Sequence, residues 1–140
     1  MPLLLLTACS AVQPGRYFAG DLELHGAFAF APPTTSEAAG YFTIVNRGSR
    51  PDTLVAIMSP LAAGAMVHGQ VQDGGMVRME HITAPVVPPR DSLVLAPGGM
   101  HLMLMTLDHL PRAGDSIAVT LTFARAGDMT VTLPVRPYGD

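Results

Sequence analysis

Three segments of the sequence each place a methionine and a histidine two residues apart. They are Met66–Val67–His68, Met79–Glu80–His81 and His101–Leu102–Met103. Residues i and i+2 of a β-strand lie on the same face, so each pair can present one imidazole and one thioether together. Thioether sulfur is a soft ligand that favours Cu(I), and imidazole binds copper and zinc alike. If these segments are strands, they predict a mixed His/Met site for Cu(I).

The same side chains also have a structural interpretation. Methionine is a common filler of irregular space in protein cores, and the chain has nine methionines. Taken singly, four of them are better explained by packing, namely Met66, Met76, Met100 and Met105. The isolated residues His25 and His109 fit a surface or hydrogen-bonded role, and His81 beside Glu80 fits a solvated one. Residue types alone therefore leave two alternatives open, a copper site and a β-sandwich interaction module with structural His and Met.

The cysteine content restricts the chemistry further. Cys9 is the only cysteine, so the chain has no internal disulfide and no Cys-x-x-Cys pair. A structural zinc site usually uses thiolates, or His with carboxylate, and a blue-copper centre needs a thiolate. We find no Ser-His-Asp pattern and no redox dithiol, so an enzyme is not expected.

The elements that carry these residues have a period of two. Apolar residues alternate with Ala or Thr over 117–123 and over 129–135. Turn signals such as "QDGG", "APGG" and "PRAGD" separate the strand candidates. The predicted strands are 22–30, 39–46, 53–58, 65–70, 76–82, 92–95, 100–107, 117–123 and 129–135. This pattern predicts an all-β antiparallel sandwich or Greek-key barrel.

Length and charge indicate one domain that does not bind nucleic acid. A chain of 140 residues is long enough to bury a core, and the 13 prolines leave little room for long helices. The formal net charge of −3 lacks the dense positive face that nucleic-acid binding needs. No apolar run approaches the roughly 18 to 20 residues of a membrane span.

The N-terminus resembles an export signal. Leu6, Thr7, Ala8 and Cys9 follow a short apolar run and are similar to the bacterial lipobox, in which the cysteine carries diacylglycerol. The alternative is an ordinary apolar tail with a stray thiol. We therefore expect residues 1–20 to be a signal- or lipoprotein-like segment and tether, and 21–140 to be a single copper-binding β-sandwich domain.

The spacing of four residues extends the copper hypothesis. Ten residues separate His68 from Met79, 21 separate Met79 from His101, and one separates His101 from Met103. This order resembles the signature of the PCuAC-type periplasmic copper chaperones, and segments such as "AAGYFTIVNRG" and "LAPGGMHLMLMTL" follow the order of that family. The resemblance implies a cupredoxin-like Greek-key β-sandwich. It also implies that these four residues bind Cu(I) in a tetrahedral His₂Met₂ site near one edge of the sandwich.

The resemblance also implies a function. The protein would be a monomeric, extracytoplasmic Cu(I) metallochaperone of the periplasm, and the resemblance to the lipobox adds a lipid anchor through Cys9. It would supply copper for cytochrome c oxidase assembly, either to the apo CuA site directly or through a Sco-type thiol protein. Copper buffering for tolerance is an alternative with the same chemistry, and the interaction module is the alternative without metal.

Overall fold

The computed structural model describes residues 15–140, and these residues form eleven strands joined by turns and loops, without a helix. The described part of the chain therefore has no helix that could cross a membrane. The all-β prediction is confirmed. The strands are β1 (Arg16–Ala19), β2 (Leu22–Phe30), β3 (Ala38–Asn46), β4 (Asp52–Met58), β5 (Ala62–Asp73), β6 (Met76–His81), β7 (Val86–Val87), β8 (Ser92–Leu95), β9 (His101–Leu107), β10 (Ser116–Phe123) and β11 (Gly127–Arg136).

The strands are hydrogen-bonded in one continuous series. Its order is β6-β5-β9-β3-β2-β11-β10-β4-β7, with β1 beside β2 and β8 beside β3. The pairs are antiparallel except β11 with β2, which is parallel. The series folds over so that β4 packs against β5, and buried side chains from both halves, such as Leu102 and Val131, form one core.

The alternation predicted for the last two strands appears in their burial. Every second residue of β10 and β11 is buried, and the residues between them are exposed or half-buried.

Two strands were not predicted. β1 has four residues, lies inside the predicted tether and pairs with β2, and β7 has two residues, in a proline-rich stretch, that pair with β4. Segments of two to four residues are too short to show an alternation of apolar and polar residues. They are extended because they pair with β2 and β4.

A tight hairpin fixes the register between β5 and β6. Gly74 and Gly75 form its two-residue loop with φ of +60° and +83°, the conformation of a type I′ turn. From this turn the pairing runs without a bulge to His68 opposite His81. β5 is longer than its predicted range at both ends, because the small residues before Ala65 also pair with β9 and residues 71–73 pair with β6.

A second turn sets where β9 begins. β8 and β9 both pair with β3, and residues 96–100 form the loop between them. Pro97 and Gly98 occupy the centre of a turn closed by a 2.9 Å hydrogen bond from the Gly99 N–H to the Ala96 carbonyl. The φ of +84° at Gly98, which follows proline, is typical of a type II turn. This loop delivers His101 as the first residue of β9.

Candidate metal centre

The predicted site residues lie on one face of β6, β5 and β9. Val67 on β5 is opposite Leu102 on β9, and both side chains are buried in the core. Because side chains alternate along a strand, the residues directly before and after Val67 and Leu102 lie on the opposite face of the sheet. We call this the His/Met face, and its residues are Met66, His68, Gln70, Met79, His81, His101, Met103 and Met105.

The strand register arranges these residues in rows. His68 pairs with His101 on one side and with His81 on the other, so three imidazoles form a row across three strands. In the next row, Met66 lies directly opposite Met103. Directly opposite residues of antiparallel strands have Cβ atoms about 4.5–5.5 Å apart. The sheet thus brings imidazole and thioether groups together from strands that are distant in sequence.

The imidazoles of His68 and His101 lie close together, and each ring also contacts a second group. The ring centroids of His68 and His101 are 5.7 Å apart, with an angle of 76° between the planes. The His101 Nδ1–H donates a 3.2 Å hydrogen bond to the Gly99 carbonyl, so the lone pair of His101 Nε2 is free for a metal ion. His68 Nε2 lies 2.9 Å from Met66 Sδ.

Exposure increases across the face from β9 to β6. His101 is only 8% exposed. His68 and Met103 are half-buried, and Met79 on β6 is 48% exposed. β6 is the last strand of the series, so the buried side of the face is anchored in the sheet and the other side opens to solvent.

The donor set on this face is soft and neutral. Within residues 15–140, no group of three or more His, Cys, Asp or Glu side chains is placed to hold a metal ion. A site with three or more side-chain ligands on this face would therefore use thioethers, which Cu(I) accepts and the harder divalent ions do not favour. This chemistry fits the ion predicted from the sequence.

Burial is the main influence on the ionisation of His68. It lowers the pKa of the imidazole below the ordinary value of 6.5, and the nearby His101 and His81 lower it further, whereas Glu37 raises it. His68 is therefore neutral at pH 7, which is the form that binds a metal.

This pKa shift predicts a pH-dependent stability. Between the lowered pKa of folded His68 and pH 6.5 the unfolded chain binds more protons than the folded chain, so the free energy of unfolding decreases as the pH falls through this window. Replacing His68 with glutamine should make this decrease smaller. Urea unfolding of the metal-free protein between about pH 7.5 and about pH 5.5 measures it.

The matched control is Met105→Leu, which alters the same face without removing a titrating group. Its pH dependence should equal that of the unmodified protein. An equal pH dependence in His68→Gln and the unmodified protein would contradict the assignment to His68.

The structure brings three of the four predicted ligands together and leaves the fourth at the edge. His68, His101 and Met103 lie on the neighbouring strands β5 and β9. Met79 pairs with Gln70, one row towards the hairpin from His68, and β5 separates it from β9. Met79 is thus a diagonal neighbour of His68, at a Cα distance of about 7–8 Å, which a long side chain can span.

The remaining methionines near the site have different environments. Met100 packs against the core, which confirms its interpretation as a packing residue. The packing interpretation of Met76 is wrong, because its side chain is 75% exposed, on the opposite face of the hairpin from Met79. Met105 is half-buried on the His/Met face, over Gly64. Met66, which sequence analysis assigned to packing when taken singly, contacts the imidazole of His68 on its own strand, as the i, i+2 spacing of the pair allows.

Comparison with known proteins places the chain in a family. The family described as "Putative lipoprotein LpqE-like" matches residues 22–135. The chain belongs to the LpqE-like family. Over 143 aligned residues, this LpqE-like chain is 32% identical to "Putative lipoprotein Lxx21020" of Leifsonia xyli subsp. xyli, with 97% of the chain and 85% of the relative covered.

Solved structures similar to this LpqE-like chain include PCuAC domains. The copper-bound PCuAC domain from PmoF2 has a TM-score of 0.75 and 25% identity, covering 87% of the chain and 97% of that domain. The solution structure of CuI-DR1885 from Deinococcus radiodurans has a TM-score of 0.68 and 28% identity, covering 95% of the chain and 85% of that protein. The predicted resemblance to the PCuAC family and the cupredoxin-like fold are both confirmed.

Proposed function

We propose that this LpqE-like protein binds one Cu(I) through His68, Met79, His101 and Met103 and passes it to an acceptor as an extracytoplasmic copper chaperone. The observation that carries the proposal is the pairing of His68 with His101, which stand on one half-open face with Met103. Two similar solved structures support the choice of ion. One is the copper-bound PCuAC domain from PmoF2, and the other is the solution structure of CuI-DR1885.

The donor chemistry suits binding and release of Cu(I). All four donors are neutral, so the loaded site carries only the charge of the ion, and partial exposure limits the cost of burying that charge. Thioethers favour the cuprous state. They are also weaker ligands than thiolates, so an acceptor with cysteines can withdraw the ion. The site therefore suits delivery better than storage.

The asymmetry of the face suits transfer. His101 is held by its hydrogen bond to Gly99 and is nearly buried, whereas Met79 is exposed on the last strand of the series. An acceptor can therefore approach from the β6 side and replace Met79 first, while the β9 ligands still hold the ion. The histidines need not become exposed before the acceptor has bound.

The destination and location complete the proposal. The acceptor is the apo CuA site of cytochrome c oxidase or a Sco-type thiol protein, and the protein acts in the periplasm as a monomer. The family description as a lipoprotein supports export and a lipid anchor at Cys9, which lies outside the described residues. Mass spectrometry of the N-terminal peptide from cells can reject the anchor.

The test is a Cu(I) titration followed by transfer. We expect one Cu(I) per chain to be retained under anaerobic conditions against a chromogenic cuprous chelator. Mixing the loaded protein with an apo CuA domain or a reduced Sco-type protein should then move the ion to the cysteines of the acceptor. If the loaded protein keeps the ion in the presence of the acceptor, the proposed role changes from copper delivery to copper buffering. If the protein binds no Cu(I), the interaction module without metal is favoured.

A further inference from the structure

Met66 is placed to take part in metal binding, although the spacing of the four predicted ligands does not include it. It lies two residues before His68 on β5 and directly opposite Met103 on β9. Its side chain is half-buried, and its Sδ atom is 2.9 Å from His68 Nε2. The thioether is therefore already in contact with one of the two imidazole nitrogens of His68.

The separation of these two atoms is close to that of two ligands on one ion. Bond lengths of about 2.0 Å to nitrogen and about 2.3 Å to sulfur, as in tetrahedral zinc sites, put two donors about 3.5 Å apart. The observed 2.9 Å is slightly shorter. The two atoms would have to move apart by about 0.6 Å to share an ion, and Met103 is paired with Met66 on the opposite strand.

Met79 has a less favourable starting position than Met66. Its backbone partner is Gln70, in the row beyond His68, and β5 lies between it and the β9 ligands. Its side chain is 48% exposed and must become ordered to reach the ion. Met66 lies in the same row as Met103 and is more buried.

We infer that Met66 is a further thioether ligand and that Met66 and Met79 exchange at one coordination position. His68, His101 and Met103 hold the ion throughout. The Cu–S bond to Met66 breaks as the Cu–S bond to Met79 forms, which moves the ion from the interior of the face towards the edge strand. This inference rests on the proposed Cu(I) function and adds an inner resting state and an outer transfer state to it.

The test uses leucine variants, because Leu and Met have similar volumes and the exchange preserves packing. Met66→Leu, Met79→Leu and the double variant are compared, with Met105→Leu as the matched control on the same face. Cu(I) affinity is measured by chelator competition, sulfur ligation by X-ray absorption, and release by the rate of transfer to excess chelator. Thermal melting of each metal-free variant checks the fold.

Substitution of either exchanging methionine alone should weaken binding by no more than about tenfold, because the other methionine remains available. The double variant should lose more than about 100-fold, which exceeds the product of the single effects. Met79→Leu should keep the sulfur ligation of the unmodified protein and release the ion more slowly, whereas Met66→Leu should release it faster.

Two results would overturn the inference. One is a Met66→Leu variant that binds and releases Cu(I) like the unmodified protein, together with a Met79→Leu variant as weak as the double variant. In that case the proposed function stands with Met79 as the fourth ligand. The other is an unmodified protein that binds no Cu(I), which rejects the proposed function itself and the exchange with it.

Discussion

Replacing His68 with alanine and His101 with glutamine in one variant is expected to lower the Cu(I) affinity by more than about 100-fold. The two imidazoles are the only nitrogen donors of the proposed site, and their rings lie edge to face across β5 and β9 with centroids 5.7 Å apart. Thioethers that remain bind more weakly and cannot hold the ion against a chelator. Anaerobic competition with a chromogenic cuprous chelator measures the loss.

The choice of glutamine at position 101 follows from burial. His101 is only 8% exposed and donates to the Gly99 carbonyl, so an alanine there would leave a void and an unpaired carbonyl. Glutamine fills most of the space and retains an N–H donor. The double variant of the isolated histidines, His25→Ala with His109→Ala, is the control and should bind Cu(I) like the unmodified protein. Equal affinity in both double variants would reject the His/Met face as the site.

Periodicity predicted the long strands well because their alternation reflects one buried face. β2 and β8 have the predicted bounds, and β3, β4, β10 and β11 differ by a residue or two at an end. β5 was underpredicted because its first residues include Ala62, Ala63 and Gly64, which have no strand preference of their own. Its pairing with β9 imposes the extended conformation there.

The candidate site could be predicted only in part, for a physical reason. Spacing within a segment shows which residues share a face, as for His101 and Met103. It does not show that β9 pairs with β5, nor that the register sets His68 against His101 and Met66 against Met103. The row that adds His81 depends in turn on the register between β5 and β6. Sequence therefore identified the donor types, and the fold shows which of them meet.

A buried carboxylate outside the candidate site joins β4 to the turn between β10 and β11. Asp52, the first residue of β4, is 5% exposed. It accepts backbone hydrogen bonds from Thr53 at 2.8 Å and from Arg125 and Ala126 at 2.9 Å each. The last two belong to the turn between β10 and β11, so one side chain joins this turn to the start of β4.

Removal of this carboxylate by Asp52→Ala is expected to lower the free energy of unfolding by about 2–4 kcal/mol, because three backbone N–H groups lose their acceptor. Asp52→Asn keeps one oxygen and should lose less. Asp91→Ala is the control, since Asp91 is exposed and accepts one bond, from the Ser92 N–H, so its loss should stay below about 1 kcal/mol. Urea unfolding measures all three. The Asp52 carboxylate bonds only the start of β4 and the turn between β10 and β11, so the Cu(I) affinity of folded Asp52→Ala should be unchanged. A parallel loss of affinity would show that the His/Met face depends on global stability rather than on its own register.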